Sequence, residues 1–298
     1  MTRRISDRVV IALASLFTAA AMGYAPAAAT ESSAVPDLTG IWARSTFAIE
    51  PPPSGGPGPL RNPGNNTRDL PPAYLSTNVK PDVSKLLREK YESTLAGKPF
   101  PTPSSTCWPM VAPLIYRVQE MQLLQQKDQV TFIYMQDHEV RRVRLNASHP
   151  AKVTPSWHGD SVGHYEGDTL VIDTIGMKVG PVSIIDQAGT PYTEALHVIE
   201  RYRLVDYETA RAALEGNVTR NGPPGTRQAA GIDPNYQGKG LQVEFAVEDP
   251  NVFNAPWGGL ATYGKADDLW IENVCAENTF EYYNNRDTTI PVAAELDF

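Results

Sequence analysis

The 298-residue chain has little cysteine, few histidines and no long apolar run, and each shortage narrows what it can be. Its two cysteines are Cys107 and Cys275. A catalytic thiol would leave the other sulfur free, so a disulfide between the two is the economical reading in an oxidising compartment. Five histidines, those of the densest polar cluster interrupted by glycines, give no reason to expect a transition metal. No apolar stretch reaches the ~20 residues that a membrane-spanning helix requires. A Gly-rich phosphate fingerprint and internal repeats are both missing, so no nucleotide or other cofactor is expected. Basic residues are outnumbered, 26 Lys and Arg against 34 Asp and Glu, for a formal net charge of −8. An acidic surface repels phosphate backbones and anionic lipid, which excludes nucleic acid and membrane surfaces as expected partners.

What is present begins with Arg3, Arg4 and Arg8, an apolar run over 9–21, and Ala27, Ala28 and Ala29. A positive end, a short greasy segment and small residues make the order of a secretory signal, with cleavage near Ala29. The expectation is a signal over 1–29 and one domain over 30–298, periplasmic or secreted. No cysteine stands at the cleavage region, so no lipid anchor is expected. Ser6 and Asp7 after the arginine pair favour the ordinary secretory route over the twin-arginine one.

Residues 50–72 are dominated by Pro, Gly and Asn, which form neither ladder nor helix and read as a loop or lid. A helix follows, with Asp82 as its cap, an apolar stripe of Val83, Leu86, Leu87, Tyr91 and Leu95, and Gly97 and Pro99 at its end. From Val118 onward the period is two. Strands are expected over 118–124, 130–136, 139–145, 161–166, 168–175, 195–205, 241–248 and 269–275, with a ninth piece at Ile41 and Trp42. Residues 209–239 read as a second Gly/Pro-rich excursion. Nine strands to one clear helix predict an all-β fold, an antiparallel barrel or curved sandwich, with closure preferred because it removes edges.

The run from Pro155 through Trp157, Gly159, Ser161, Gly163, Tyr165, Glu166, Gly167, Asp168, Thr169, Leu170, Val171, Ile172, Asp173 and Thr174 is specific. It resembles the signature of a large group of exported bacterial proteins of unassigned function, in which Trp-x-Gly-x-Ser-x-Gly-x-Trp/Tyr-Glu-Gly-Asp-Thr-Leu-Val-Val-Asp-Thr recurs. Asp37 to Trp42, Glu194 to His197, Glu200 to Tyr202, Asp249-Pro250, Pro256-Trp257 and Val274 to Asn278 also match. The resemblance implies export and a lipocalin-like β-barrel and names no reaction. The Pro-rich segment and the 209–239 excursion depart from the group's pattern.

Among residues able to carry chemistry, His158, Asp160, His164, Glu166 and Asp168 share one parity, so an unbroken strand would place them on one face where His158, Asp160 and His164 could hold a divalent metal. Gly159, Gly163 and Gly167 permit kinks that break this, and Glu166 and Asp168 suit an exposed turn. Asp173 sits in a segment apolar on both faces, so it is expected to be buried and to need a partner. His197, on the next strand, is that partner, and an Asp–His pair in a barrel interior can act as base and acid. Arg201 shares the face of His197 and could neutralise a substrate carboxylate or enolate, while Arg141, Arg142, Arg144 and Arg203 read as surface pairs. Trp157 and Trp257, on expected mouth loops, join His158, Asp160 and His164 as candidate ligand-lining residues. Ser161 lies in a Gly-x-Ser-x-Gly string, but no helix follows and a nucleophile elbow requires one.

The sequence therefore points to an exported barrel that binds a small, partly apolar or aromatic molecule, with Asp173, His197 and Arg201 able to perform cofactor-independent elimination, hydration or isomerisation. Binding without turnover and metal-dependent hydrolysis are the other two classes the residues leave open.

Overall fold

The computed structural model describes residues 35–44, 49–58, 77–117, 120–220, 232–266 and 273–275. The expected signal, the middle of the second excursion at 221–231, Trp270 and most of the expected strand 269–275 lie outside these.

Nine strands close into a barrel in sequence order: β1 (Gly40–Ala43), β2 (Glu120–Gln125), β3 (Gln129–Tyr134), β4 (Val140–Leu145), β5 (Asp160–Glu166), β6 (Thr169–Ile175), β7 (His197–Val205), β8 (Gly240–Glu248) and β9 (Trp257–Lys265). Strand alternation sends one residue in two inward. Val130, Phe132 and Tyr134 of β3, Leu170, Ile172 and Thr174 of β6, and Val198, Glu200 and Tyr202 of β7 are thereby removed from water and fill the interior. The β5–β6 hairpin pairs Glu166 with Thr169 across Gly167 and Asp168, and Gly167 takes the positive φ, 61°, that a two-residue turn asks for.

Two departures from expectation shape the wall. Every pairing is antiparallel except β4–β5, which is parallel. Parallel neighbours need a crossover, and the one over residues 146–159 carries His149, Trp157 and His158 across the barrel's exterior and end. The last strand is also not the expected one. Asn273 to Cys275 form no strand, and β9 is instead Trp257–Lys265, whose four small or Gly positions read as a loop by composition.

Three helices accompany the barrel. Helix α1 (Pro81–Leu95) is the expected one, but it starts with Pro81 in its first turn, so Lys80 and not Asp82 holds the cap position, and only Val83 and Leu87 of the stripe are buried. Helix α2 (Pro103–Thr106) is one capped turn ending at Cys107. Helix α3 (Tyr207–Arg220) occupies the start of what composition suggested was an irregular excursion. Asp206 caps it by accepting from the Thr209 N–H at 2.9 Å. It crosses the outer wall at Gly240, where an added Cβ would sit 2.4 Å from that of Ala210.

Cys107 and Cys275 form the expected disulfide, Cα atoms 5.4 Å apart across a sequence separation of 168. It fastens the chain's far end beside the buried segment Met110–Tyr116 that stops one mouth of the barrel.

The Pro-rich segment is an interrupted continuation of β1. After Trp42 and Ala43 pair with Lys265 and Gly264, Glu50 exchanges two backbone hydrogen bonds with Leu260, and the Gly258 N–H donates to Pro57. Pro51, Pro52, Pro53 and Pro57 have no N–H to donate, so the ladder cannot be regular here and the segment stands off as a strap.

Candidate functional site

Asp173 and His197 meet. The His197 Nε2 lies 2.9 Å from Asp173 Oδ1. Strands β6 and β7 pair Asp173 with Ile199 and Thr174 with Val198, so the odd-numbered residues of both share one face. That face is the outside, because Leu170, Ile172, Thr174, Val198, Glu200 and Tyr202 take the interior. The expectation of an interior pair is thus corrected: side chains of Asp173 and His197 keep 40 % and 33 % of their surface in solvent. The apolar neighbours that made Asp173 look buried divide between the two faces, and Val171 on the outer one is buried as well.

The pair belongs to a longer line across the wall. His149, from the β4–β5 crossover, places Nε2 3.2 Å from the same Asp173 oxygen and Nδ1 2.6 Å from Asp160 Oδ1. Arg144 of β4 donates to both Asp160 oxygens, at 2.7 and 2.9 Å. His149 went unnoticed in the sequence because nothing local marks Ser148-His149-Pro150; only the crossover brings it over β5 and β6. With His197 donating through Nε2 to Asp173, its Nδ1 is the remaining proton acceptor, and Glu248 at 3.8 Å lies beyond hydrogen-bond range of it.

One pleat along β7 from His197, Ile199 forms part of the floor of a half-open groove of about 230 Å³. Ile199 and Ala246 are paired across β7 and β8, the strap supplies Pro52 and Pro57 above them, and Trp257 closes one side. Arg201 and Glu244, the next pair along, line it too. Arg201 does share the face of His197, as alternation required. It is ion-paired with Glu166, whose carboxyl is held below its usual range by hydrogen bonds from Arg201 and His164. The groove therefore does not offer Arg201 as a free cation.

The barrel interior holds a different cluster. Glu200 and Arg141 form an ion pair with both side chains essentially removed from water. The Glu200 carboxylate accepts from Tyr116, from Tyr202 at 2.8 Å, and from both terminal nitrogens of Arg141. Arg141 donates further to Ser161 at 3.1 Å and Thr174 at 2.7 Å. Arg141 is thus no surface residue, and Ser161, tied to Arg141 and Thr174, is no exposed nucleophile. Burial pushes Glu200 toward the neutral form, but the Arg141 charge and these hydrogen bonds outweigh it and hold its carboxyl below the usual range. The sequence contained the signal: Glu200 alternates in step with Val198, Tyr202 and Leu204, and Arg141 with Val143 and Leu145.

The candidate metal cluster does not converge. His158 precedes β5 and turns to the barrel's end, 3.1 Å from Glu139 and stacked on Tyr134. Asp160 is held by Arg144 and His149, and His164 pairs with Glu166 at 3.1 Å on the exposed surface. Asp168 caps its own turn through Thr169. Among the described residues no three His, Cys, Asp or Glu side chains are placed to hold a metal ion. Trp157 packs edge-on against Trp108, centroids 4.8 Å apart, beneath Lys178, in a crevice with no room for a water molecule. Of the five expected ligand-lining residues, only Trp257 borders the groove, and it does so as the first residue of β9 and not from a loop. Comparison with protein-family models, with curated proteins and with solved structures gives no match.

Proposed function

We propose that the chain is an exported barrel that binds a small, largely apolar molecule in the groove on its outer wall, where Asp173 and His197 act on it as acid and base without a cofactor. The Asp173–His197 hydrogen bond, one pleat from the groove floor, carries this reading. A carboxylate that fixes one ring nitrogen leaves the other to take a proton, and it stabilises the imidazolium that results. Proton abstraction followed by elimination or isomerisation, or its reverse as hydration, needs no more than this together with an apolar bed. The filled interior argues against a ligand inside the barrel. Export is supported by the Arg, apolar and Ala order of residues 1–29 and by the disulfide.

Incubating the purified protein with a metabolite extract and following masses that disappear and appear tests the reading. His197→Gln and Asp173→Asn are expected to abolish conversion while retention of the molecule persists. Both residues are partly in solvent, so each change is expected to cost less than about 1 kcal/mol of stability, which separates lost chemistry from lost fold. A molecule retained unchanged by the unmodified protein would make this a binding protein without turnover.

A further inference from the structure

The chemistry of the groove also says what kind of molecule it takes; this inference rests on the groove being the ligand site. Trp257 is 6 % exposed and packed edge-on against Phe245 and Phe253, and its indole N–H has no acceptor among the described residues. A buried donor left without an acceptor is costly, and indole offers no second role: it only donates. The same ring borders the groove, whose other walls are Pro52, Pro57, Ile199 and Ala246. Size and charge add two limits. A cavity of roughly 150 Å³ holds benzene, so about 230 Å³ holds one ring with a short substituent. The Arg201 charge is met by Glu166, which leaves Glu244, touched by Ser54 at 3.4 Å, as the charge facing a ligand.

We propose that the groove takes an uncharged one-ring molecule bearing a hydrogen-bond acceptor, such as a carbonyl, which the Trp257 N–H receives. A carboxylate is turned away by Glu244, contrary to what Arg201 alone would have suggested.

Three probes of one size separate these statements: acetophenone, neutral with an acceptor; ethylbenzene, neutral without one; and benzoate, anionic. Each is titrated into the full protein with 15N-labelled tryptophan. The Trp257 indole signal is assigned by Trp257→Phe or, if that variant does not fold, by the proximity of its N–H to the ring protons of Phe245 and Phe253. Acetophenone is expected to move this signal, and ethylbenzene to bind at least about fivefold more weakly for want of the acceptor. Benzoate is expected to bind more weakly than acetophenone, and Glu244→Gln to bring the two together. Equal binding of all three, or acetophenone binding that leaves the Trp257 N–H signal unmoved, overturns the inference and leaves the groove as a ligand site. If no probe perturbs the amides of Ile199 or Ala246, the groove itself is lost as a ligand site and the inference falls with it.

Discussion

Glu200 is the residue on which the barrel interior turns. Taking two charges out of water costs several kcal/mol per ion, and the cost is recovered only where geometry and further hydrogen bonds are good. Here the carboxylate has a two-pronged guanidinium and two tyrosine hydroxyls, and the guanidinium has two hydroxyls of its own. Removing one partner strands the other, so Glu200→Gln and Arg141→Met are each expected to destabilise by about 3–5 kcal/mol. The double change to methionines should cost far less than the sum, as equilibrium unfolding in urea would show. The pH dependence follows from the sign of the shift. With its carboxyl held low by Arg141, Glu200 contributes stability that is complete above the unfolded carboxylate value of about 4.3 and is lost as pH falls through its lower folded value. Glu139 and Asp186 act oppositely, since burial raises both; they favour the fold at low pH and lose that contribution as pH rises through their raised values. Unfolding measured between about pH 3 and 7 should therefore show an acid-side loss that Glu200→Gln flattens. An unchanged acid limb in that variant would assign the loss elsewhere.

At the level of elements, what could be read from the sequence was what alternates or caps locally. Strands β2 to β8 were recognisable because their inward residues are apolar at period two, and α1 because Gly97 and Pro99 stop a short apolar stripe. Helix α3 was passed over for the glycines and prolines beyond it, although Asp206 before Ala210, Ala212, Ala213 and Leu214 is a cap before strong helix formers, and Arg211 pairs with both Glu208 and Glu215. Strand β9 was illegible for a physical reason. Its glycines are where other groups come close, as at Gly259, where a Cβ would lie 2.4 Å from Ile49 and 2.6 Å from the Phe245 ring. Within the candidate site, the Asp173–His197 pairing was legible because consecutive strands neighbour one another. Its side of the wall was not, because Val171, Asp173 and Ile175 look as apolar as the inner face. The disulfide was legible by number alone. It closes a loop of 168 residues and joins α2 to the 273–275 segment, whose Cys275 N–H also donates to Asp137 at 2.7 Å. Replacing both cysteines with serine is expected to cost about 2–5 kcal/mol. Alkylation of the native protein without reductant should find no free thiol, and finding two would remove the bridge.

As a whole, the barrel is unevenly closed. Strands β7 and β8 pair continuously from His197 and Glu248 to Val205 and Gly240. At the opposite seam the described residues give β1 and β9 just Trp42 with Lys265 and Ala43 with Gly264, helped by the Ala266 N–H donating to Ile41 at 2.9 Å and the Lys265 ammonium 4.5 Å above the Trp42 ring. A protein opens first where few buried contacts and few ladder bonds hold it. Native-state hydrogen exchange is therefore expected to show lower opening free energies for the amides of Ile41, Ala43 and Gly264 than for Val198 to Tyr202 and Val243 to Val247. Trp42→Ala removes both the packing and the cation contact at the seam, and it should speed exchange in β1 and β9 while leaving β6 to β8 at their former protection. The strap ties this to the ligand site, because it leaves β1 directly and is held to the barrel by the Glu50–Leu260 and Pro57–Gly258 hydrogen bonds on β9. Loosening β1 loosens the roof over Ile199 and Ala246, so the same Trp42→Ala protein is expected to release acetophenone faster from the groove. Equal opening of all nine strands in exchange would mean that the barrel unfolds as one unit and that the strap moves independently of the seam.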